Sequence, residues 1–441
     1  MAGLAAALEL QRAGHDPVVI EAQGRVGGRV LTIREPFSDG LFAEGGAMRI
    51  PRSHHLTMAY VERFRLTTLP FSVNNPDAPC YLNGTKLRMG DAEEMAALLG
   101  YEMTPGERAT TVGAMWTQAL APFVAALAAE GDAAWAGIVA RNDDFSTREF
   151  LETKGWSEGA IELWGLLYQQ EALMNSSFVE LLREELGHYY EDMVSIVGGM
   201  DLLPRAFLPE LRGRIRFGAK LVALDQSPEA VTVHFQTAAG RSSLSGDYAI
   251  CTVPFPVLRH VEALKPFSGG KQRAIRQLHY DASAKILLQF RSRFWEEDHG
   301  IFGGGAFSDL PIRTTFYPEQ GRETGRGVML ASYTWSEDAQ RWGSLSPSER
   351  IAQALENVAV LHPEAPAEFE VGTSKMWHDD EFAGGAFALF EPGQQTLLFD
   401  DICAAEGRIH FAGEHASLAH AWIQGAIESG LRAAYAIAMR P

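Results

Sequence analysis

Residues 3–32, GLAAALELQRAGHDPVVIEAQGRVGGRVLT, constrain the fold more than any other stretch. Leu4, Leu8 and Leu10 stand among alanines of high helix propensity, and Gly14 lies where such a helix would stop. The apolar run Val18-Val19-Ile20 reads as a strand and ends on an acid, Glu21. Gly3 and Glu21 are separated by close to the roughly 20 residues that divide a dinucleotide-binding glycine from a ribose-binding carboxylate. After the acid, Gly24-Arg25-Val26-Gly27-Gly28-Arg29 supplies paired glycines and a guanidinium able to approach a pyrophosphate. Helix, strand, acid and glycine loop make the second half of a βαβ unit. The fingerprint also requires a strand and two glycines ahead of Gly3, so the chain as written is expected to start inside the functional polypeptide.

The same pattern recurs far downstream. Ala249-Ile250-Cys251-Thr252-Val253 is a fully apolar run, as for a buried parallel strand. Arg408 to Phe411 reads as another strand and Ile423 to Ala438 as a closing helix. Strands are expected at Ala284–Phe290, Arg313–Tyr317, Val328–Tyr333 and Glu368–Trp377, a helix over 348–361, and a hairpin turning at Asn83-Gly84. From about 91 to 190 the apolar spacing is helical, with a capping box at Ser146 and Glu149. The expected fold class is therefore α/β (α+β overall). A doubly wound, Rossmann-like nucleotide domain is assembled from 1–32, 191–280 and 401–441. A mixed-sheet substrate domain comes from 33–90 and 281–400, and 91–190 forms a helical insertion.

Composition narrows the partners. A formal net charge of −18 argues against nucleic acid or an anionic membrane, which need clustered Lys and Arg. Three cysteines far apart, with no CxxC pair, indicate neither a disulfide framework nor a zinc site, and no metal is implied. No apolar run is expected to reach the roughly 18 residues of a membrane span. No signal peptide is legible, so the compartment stays open.

A second constellation lies in RIHFAGEHASLAHAWIQGAIESG, residues 408–430. Gly413 and Glu414 stand at a strand end, where backbone can approach a ligand closely. Some eight residues on, a helix begins near Trp422-Ile423; its free N–H groups and partial positive charge would stabilise electron density on a reduced flavin. FAGEHA followed by HAWIQGAIESGLRAA resembles the C-terminal flavin signature of the amine-oxidase superfamily, and EAQGRVGGRV its E-x₄₋₆-GGR box. AEGGAMRIP and IVGGMDLLP resemble the L-amino-acid oxidase branch known from snake venoms and bacteria. The likeness runs through DYAICTV, HYDASAKILL and FWEED over nearly the whole chain.

The resemblance implies non-covalent FAD, an L-amino acid and dioxygen as small-molecule partners, and a homodimer. It implies cofactor contacts from Met1, Ala2, Gly3, Glu21, Ala22, Gly28, Arg29, Gly46, Ala47, Met48, Arg49, Leu221, Gly413, Glu414, Ala421, Trp422, Ile423, Gln424, Gly425 and Ala426. An isolated arginine is most often a surface residue; within GGAMR, Arg49 is expected to clamp the substrate carboxylate. Tyr333 would be a second carboxylate donor, although a strand Tyr near a Trp is ordinarily core. Lys285, on the strand face of Ser283, Leu287 and Gln289, would act near the flavin in proton transfer or oxygen activation. Ala421 would offer its carbonyl to the substrate amine beside Trp422. A gapless count back from Gly198 puts Arg183 at the family's active-site His position.

The expected reaction is oxidative deamination of an L-amino acid by hydride transfer from Cα, giving an α-keto acid, ammonia and hydrogen peroxide. With Trp335 nearby and no charged partner evident for the substrate side chain, an apolar-to-aromatic preference is expected. The alternatives are an amine or polyamine oxidase or a tryptophan monooxygenase of the same fold, or a non-catalytic remnant.

Overall fold

The computed structural model describes residues 1–440. The helix Ala2–Arg12 runs into the strand Val19–Ile20, which pairs in parallel with Ile215–Arg216. A second parallel pair joins Ala249–Cys251 to Ile409–Phe411. Each pair joins residues more than 150 positions apart. Helices also lock across the chain: at Gly430 of the helix Ile423–Ala438, a Cβ would lie 2.4 Å from the Ala2 carbonyl oxygen. One cavity is lined by Val18–Ile20 from the first pair and Ala249–Cys251 from the second.

The other half is built on a seven-stranded mixed sheet. Its strand Ser283–Phe290 is buried at every residue and lies antiparallel between Gly327–Trp335 and Phe369–Met376. That register sets Lys285 opposite Tyr333 on one side and Lys375 on the other. The far edge is the hairpin Pro79–Leu82 and Thr85–Arg88, turning at Asn83 and Gly84 with φ of 49° and 74°, the left-handed pair that an Asn-Gly hairpin turn requires. The helix Pro347–Leu361 covers the sheet and starts in a capping box, Ser346 with Glu349.

Five α-helices between Val112 and Leu186 pack around a core of Trp116, Phe150, Trp164 and Phe178, with the last two phenylalanines' rings stacked at 3.6 Å. The Ser146–Glu149 capping box forms as expected and starts the helix Thr147–Thr153. The expectation that no long apolar segment exists is corrected here. The helical run Val112–Asn142 is long and apolar enough, by length and composition, to cross a bilayer. Thr117, Gln118 and Pro122 break up that run to the eye. Its first helix buries Val112, Trp116, Ala119 and Leu120.

Candidate active site

The cavity between the two strand pairs extends to the large sheet and measures about 830 Å³, within the usual size of a cofactor or ligand site. At one end lie Met1, Ala2, Gly3, Glu21, Ala22, Gly28, Arg29 and Leu221. Glu21 ends its strand and accepts the Gln23 N–H at 2.8 Å; burial raises its pKa, so a hydroxyl-bearing ligand there would meet a poorly hydrated acceptor. The loop beyond it turns through Gly27 and Gly28 at φ of 103° and 57°.

Arg29 reaches back along the cavity. It donates to Glu414 at 2.8 Å and to the Ala386 carbonyl at 2.9 Å. Glu414 also accepts the N–H groups of Ala388 and Ala421. Burial acts to raise the Glu414 pKa, but Arg29, with His420 and His415, outweighs it and holds the carboxyl below its usual value. This ionised pair therefore fixes the loop 413–422 against the GGR turn.

That loop ends at the helix Ile423–Ala438, whose N-cap Trp422 contributes no side-chain cap. Ala421, Trp422, Ile423 and Ala426 line the cavity with Gly413 and Glu414. Ala421 sits at φ of 63°, the left-handed region that favours glycine, a local cost of about 1 kcal/mol. Two expected contacts fall outside the wall. The Gln424 side chain is buried and accepts the Thr57 N–H at 3.0 Å, while at Gly425 a Cβ would lie 2.2 Å from both the Ala419 carbonyl oxygen and Ser417 Oγ. Both residues seat the loop on the helix rather than face the cavity.

Gly46, Ala47, Met48 and Arg49 form the opposite wall. Gly46 has no alternative: a Cβ there would stand 1.9 Å from the Arg29 carbonyl oxygen. The Arg49 guanidinium is boxed by Phe71, Tyr190 and Phe316 at 5.6–5.8 Å from their ring centroids. Its Nη1 is buried without a hydrogen-bond partner. A buried, unpaired guanidinium nitrogen is costly unless a ligand anion supplies the acceptor.

Lys285 is 2% exposed and donates to the Gly46 carbonyl at 2.7 Å, the Glu44 carbonyl at 3.2 Å and Met48 Sδ at 3.3 Å. Its ammonium lies 4.6 Å from the Tyr333 ring centroid. Burial lowers its pKa to about 7, against the opposing charge of Glu44. Glu44, bonded by Thr32 and the Met200 N–H, is pushed up to about 7 by burial. Trp377 donates its indole N–H to the Gly45 carbonyl, bracing the loop that Lys285 grips.

Arg183 is a correction. It does not line the cavity; it donates to Gln395 at 2.9 Å and lies over the Trp135 ring. Its helix, Phe178–Leu186, turns Glu180 and Glu184 to the cavity instead. Glu180 pairs with His420 Nδ1 at 2.8 Å and accepts the Phe390 N–H. Glu184 accepts from Trp422 Nε1 at 2.7 Å and from the Tyr190 hydroxyl at 2.5 Å. Burial pushes the Glu184 pKa up to about 7. These acids, with Tyr190 and His420, were not anticipated. Acids at i and i+4 on a helix with buried Val179, Leu181 and Leu182 are the signal that could have found them.

The family model for flavin-containing amine oxidoreductases matches residues 1–438. The chain belongs to that family. A Bacillus subtilis (strain 168) protein named "Putative L-amino-acid oxidase YobN" is 42% identical, covering 100% of this chain and 93% of its own. An L-amino-acid oxidase of Siganus canaliculatus is 34% identical over 98% of this chain and 83% of its own. Among solved structures, a putrescine oxidase variant superposes with a TM-score of 0.78 at 22% identity, covering 100% of this chain and 97% of that one. Cyclohexylamine oxidase from Brevibacterium oxydans IH-35A gives 0.75 at 18% identity, covering 99% and 96%. At those identities the likeness is one of fold. For a flavin amine oxidoreductase the residues present fit the cofactor: the glycine turn, the acid of Glu21, the uncapped helix start and the cavity size all suit a flavin dinucleotide.

Proposed function

We propose that this flavin amine oxidoreductase oxidises the α-amino group of L-amino acids, using FAD held without a covalent bond. The observation that carries the reading is Arg49: its buried Nη1 lacks a partner in a cavity that also holds Tyr333 and Lys285. A simple amine would leave that nitrogen unpaired, whereas an α-carboxylate completes it. Tyr333 supports the same carboxylate, and the Ala421 carbonyl, on its left-handed backbone, accepts from the substrate amine. Held at both groups, the substrate presents Cα–H in one orientation. Lys285, neutral in growing proportion above about pH 7, can take a proton from the substrate ammonium or from water.

A flavin bound there would supply the two-electron oxidation of the Cα–N bond, with dioxygen as the final acceptor and hydrogen peroxide as its reduced product. The imino acid then hydrolyses to an α-keto acid and ammonia. Arg49→Ala, assayed by peroxide release, is expected to lower kcat/KM for L-amino acids about 30- to 1,000-fold, the loss for a desolvated charge pair. Turnover of the corresponding decarboxylated amines with unchanged kinetics, and no turnover of amino acids by wild type, would overturn the reading. Acid precipitation is expected to release the yellow cofactor into solution.

A further inference from the structure

The cavity acids differ in what balances their charge. Glu414 is paired with Arg29, and Glu180 with His420. Glu184 has only neutral partners, the indole N–H of Trp422 and the hydroxyl of Tyr190. The other carboxylates near it, Glu180 and Glu185, repel rather than compensate. Each Glu184 oxygen accepts one hydrogen bond, which leaves about half of the carboxylate's acceptor capacity unused. Trp422 and Tyr190 also fix its orientation, so the carboxylate is pre-positioned rather than free to swing into solvent.

Tyr190 ties this acid to the carboxylate clamp. Its ring centroid lies 5.6 Å from the Arg49 guanidinium, and its hydroxyl is on Glu184. The acid and the arginine are thus separated by little more than one tyrosine side chain. The carboxylate carbon of ornithine or lysine lies roughly 6–8 Å from its terminal nitrogen at ordinary bond lengths. A substrate with an anion at one end and a cation at the other matches that pair of sites.

We propose that Glu184 receives a positively charged substrate side chain, making L-lysine, L-ornithine and L-arginine the preferred substrate class. This replaces the apolar-to-aromatic preference expected from sequence, and it rests on the assignment of Arg49 to the α-carboxylate. A bound ammonium or guanidinium completes the unused acceptor positions and keeps the acid ionised. Beside a hydrocarbon side chain the carboxylate gains no compensating charge and its open acceptor positions stay unfilled.

The test uses the FAD-loaded enzyme and peroxide release. Kinetics are compared for L-lysine, L-ornithine and L-arginine against L-norleucine, which keeps the lysine chain without its amine, and L-phenylalanine. Wild type is expected to favour the basic amino acids over L-norleucine by at least about tenfold in kcat/KM. Glu184→Gln should shrink the kcat/KM preference for basic substrates over L-norleucine by at least about tenfold, mostly through a raised KM for the basic substrates. A wild type that turns over L-norleucine and L-phenylalanine better than L-lysine overturns this inference and leaves the L-amino-acid oxidase reading intact. An equal loss on all substrates in Glu184→Gln, with flavin retained, also overturns it by making Glu184 a structural group. Oxidation of 1,5-diaminopentane with no L-amino acid oxidised overturns both readings. The wild-type comparison decides the matter even if the variant fails to fold.

Discussion

Lys285 and Glu44 oppose each other's burial, and their titration should leave a visible mark on stability. Glu44 is raised from 4.5 to about 7 in the fold, so between those pH values the folded state binds more protons than the unfolded chain. Stability is present below about pH 4.5 and is lost as pH rises to 7. Lys285 is lowered from 10.5 to about 7, so between 7 and 10.5 the unfolded chain binds more protons. Its contribution is present above 10.5 and is lost as pH falls to 7. At about 1.36 kcal/mol per pKa unit, the first limb is on the order of 3 kcal/mol and the second on the order of 4–5 kcal/mol. The pair thus places a minimum near pH 7.

Lys285→Met isolates the alkaline limb. Removing the ammonium also frees the Gly46 and Glu44 carbonyls, but that penalty is independent of pH, so the slope carries the test. Urea denaturation midpoints from pH 6 to 10 should show wild type gaining on the variant as pH rises, by up to about 4 kcal/mol. Glu44→Gln should instead flatten the limb from pH 5 to 7. A difference between wild type and Lys285→Met that stays constant over that range refutes the low-pKa buried ammonium.

Two further substitutions probe the scaffold. Arg29→Met leaves Glu414 buried without its cation and should destabilise the protein by about 3–5 kcal/mol, read as a fall in the urea midpoint. Gly425→Ala drives a methyl into the Ala419 carbonyl and Ser417 Oγ, so the loop must shift; flavin absorbance per protein should fall at least about tenfold, and full occupancy would refute the seating role.

Features written in contiguous residues are legible in the sequence itself. The capping box at Ser146, the Asn83-Gly84 turn and the lysine strand are local, each specified by a few neighbours with a fixed geometry. What escaped depends on distant packing. Gln424 sits within the helix-start motif, yet Thr57, from the other end of the chain, draws its side chain away. Arg183 and Glu184 are adjacent, and only docking of Phe178–Leu186 against Trp135 and Trp422 decides which one meets the cavity. The alternation of buried and exposed residues predicts an inward face of the helix, but not what lies opposite it.

The contact of Gly430 with the Ala2 carbonyl bears on how the protein is made. The helix Ile423–Ala438 meets its partner helix only after some 400 residues have been translated, roughly 20–80 s at ordinary rates. Until then Ala249–Cys251 has no Ile409–Phe411 to pair with, and Arg29 has no Glu414. Over that interval the nascent chain carries open strand edges and an unpaired Arg29, so the walls of the cavity come together only once the helix Ile423–Ala438 has been made.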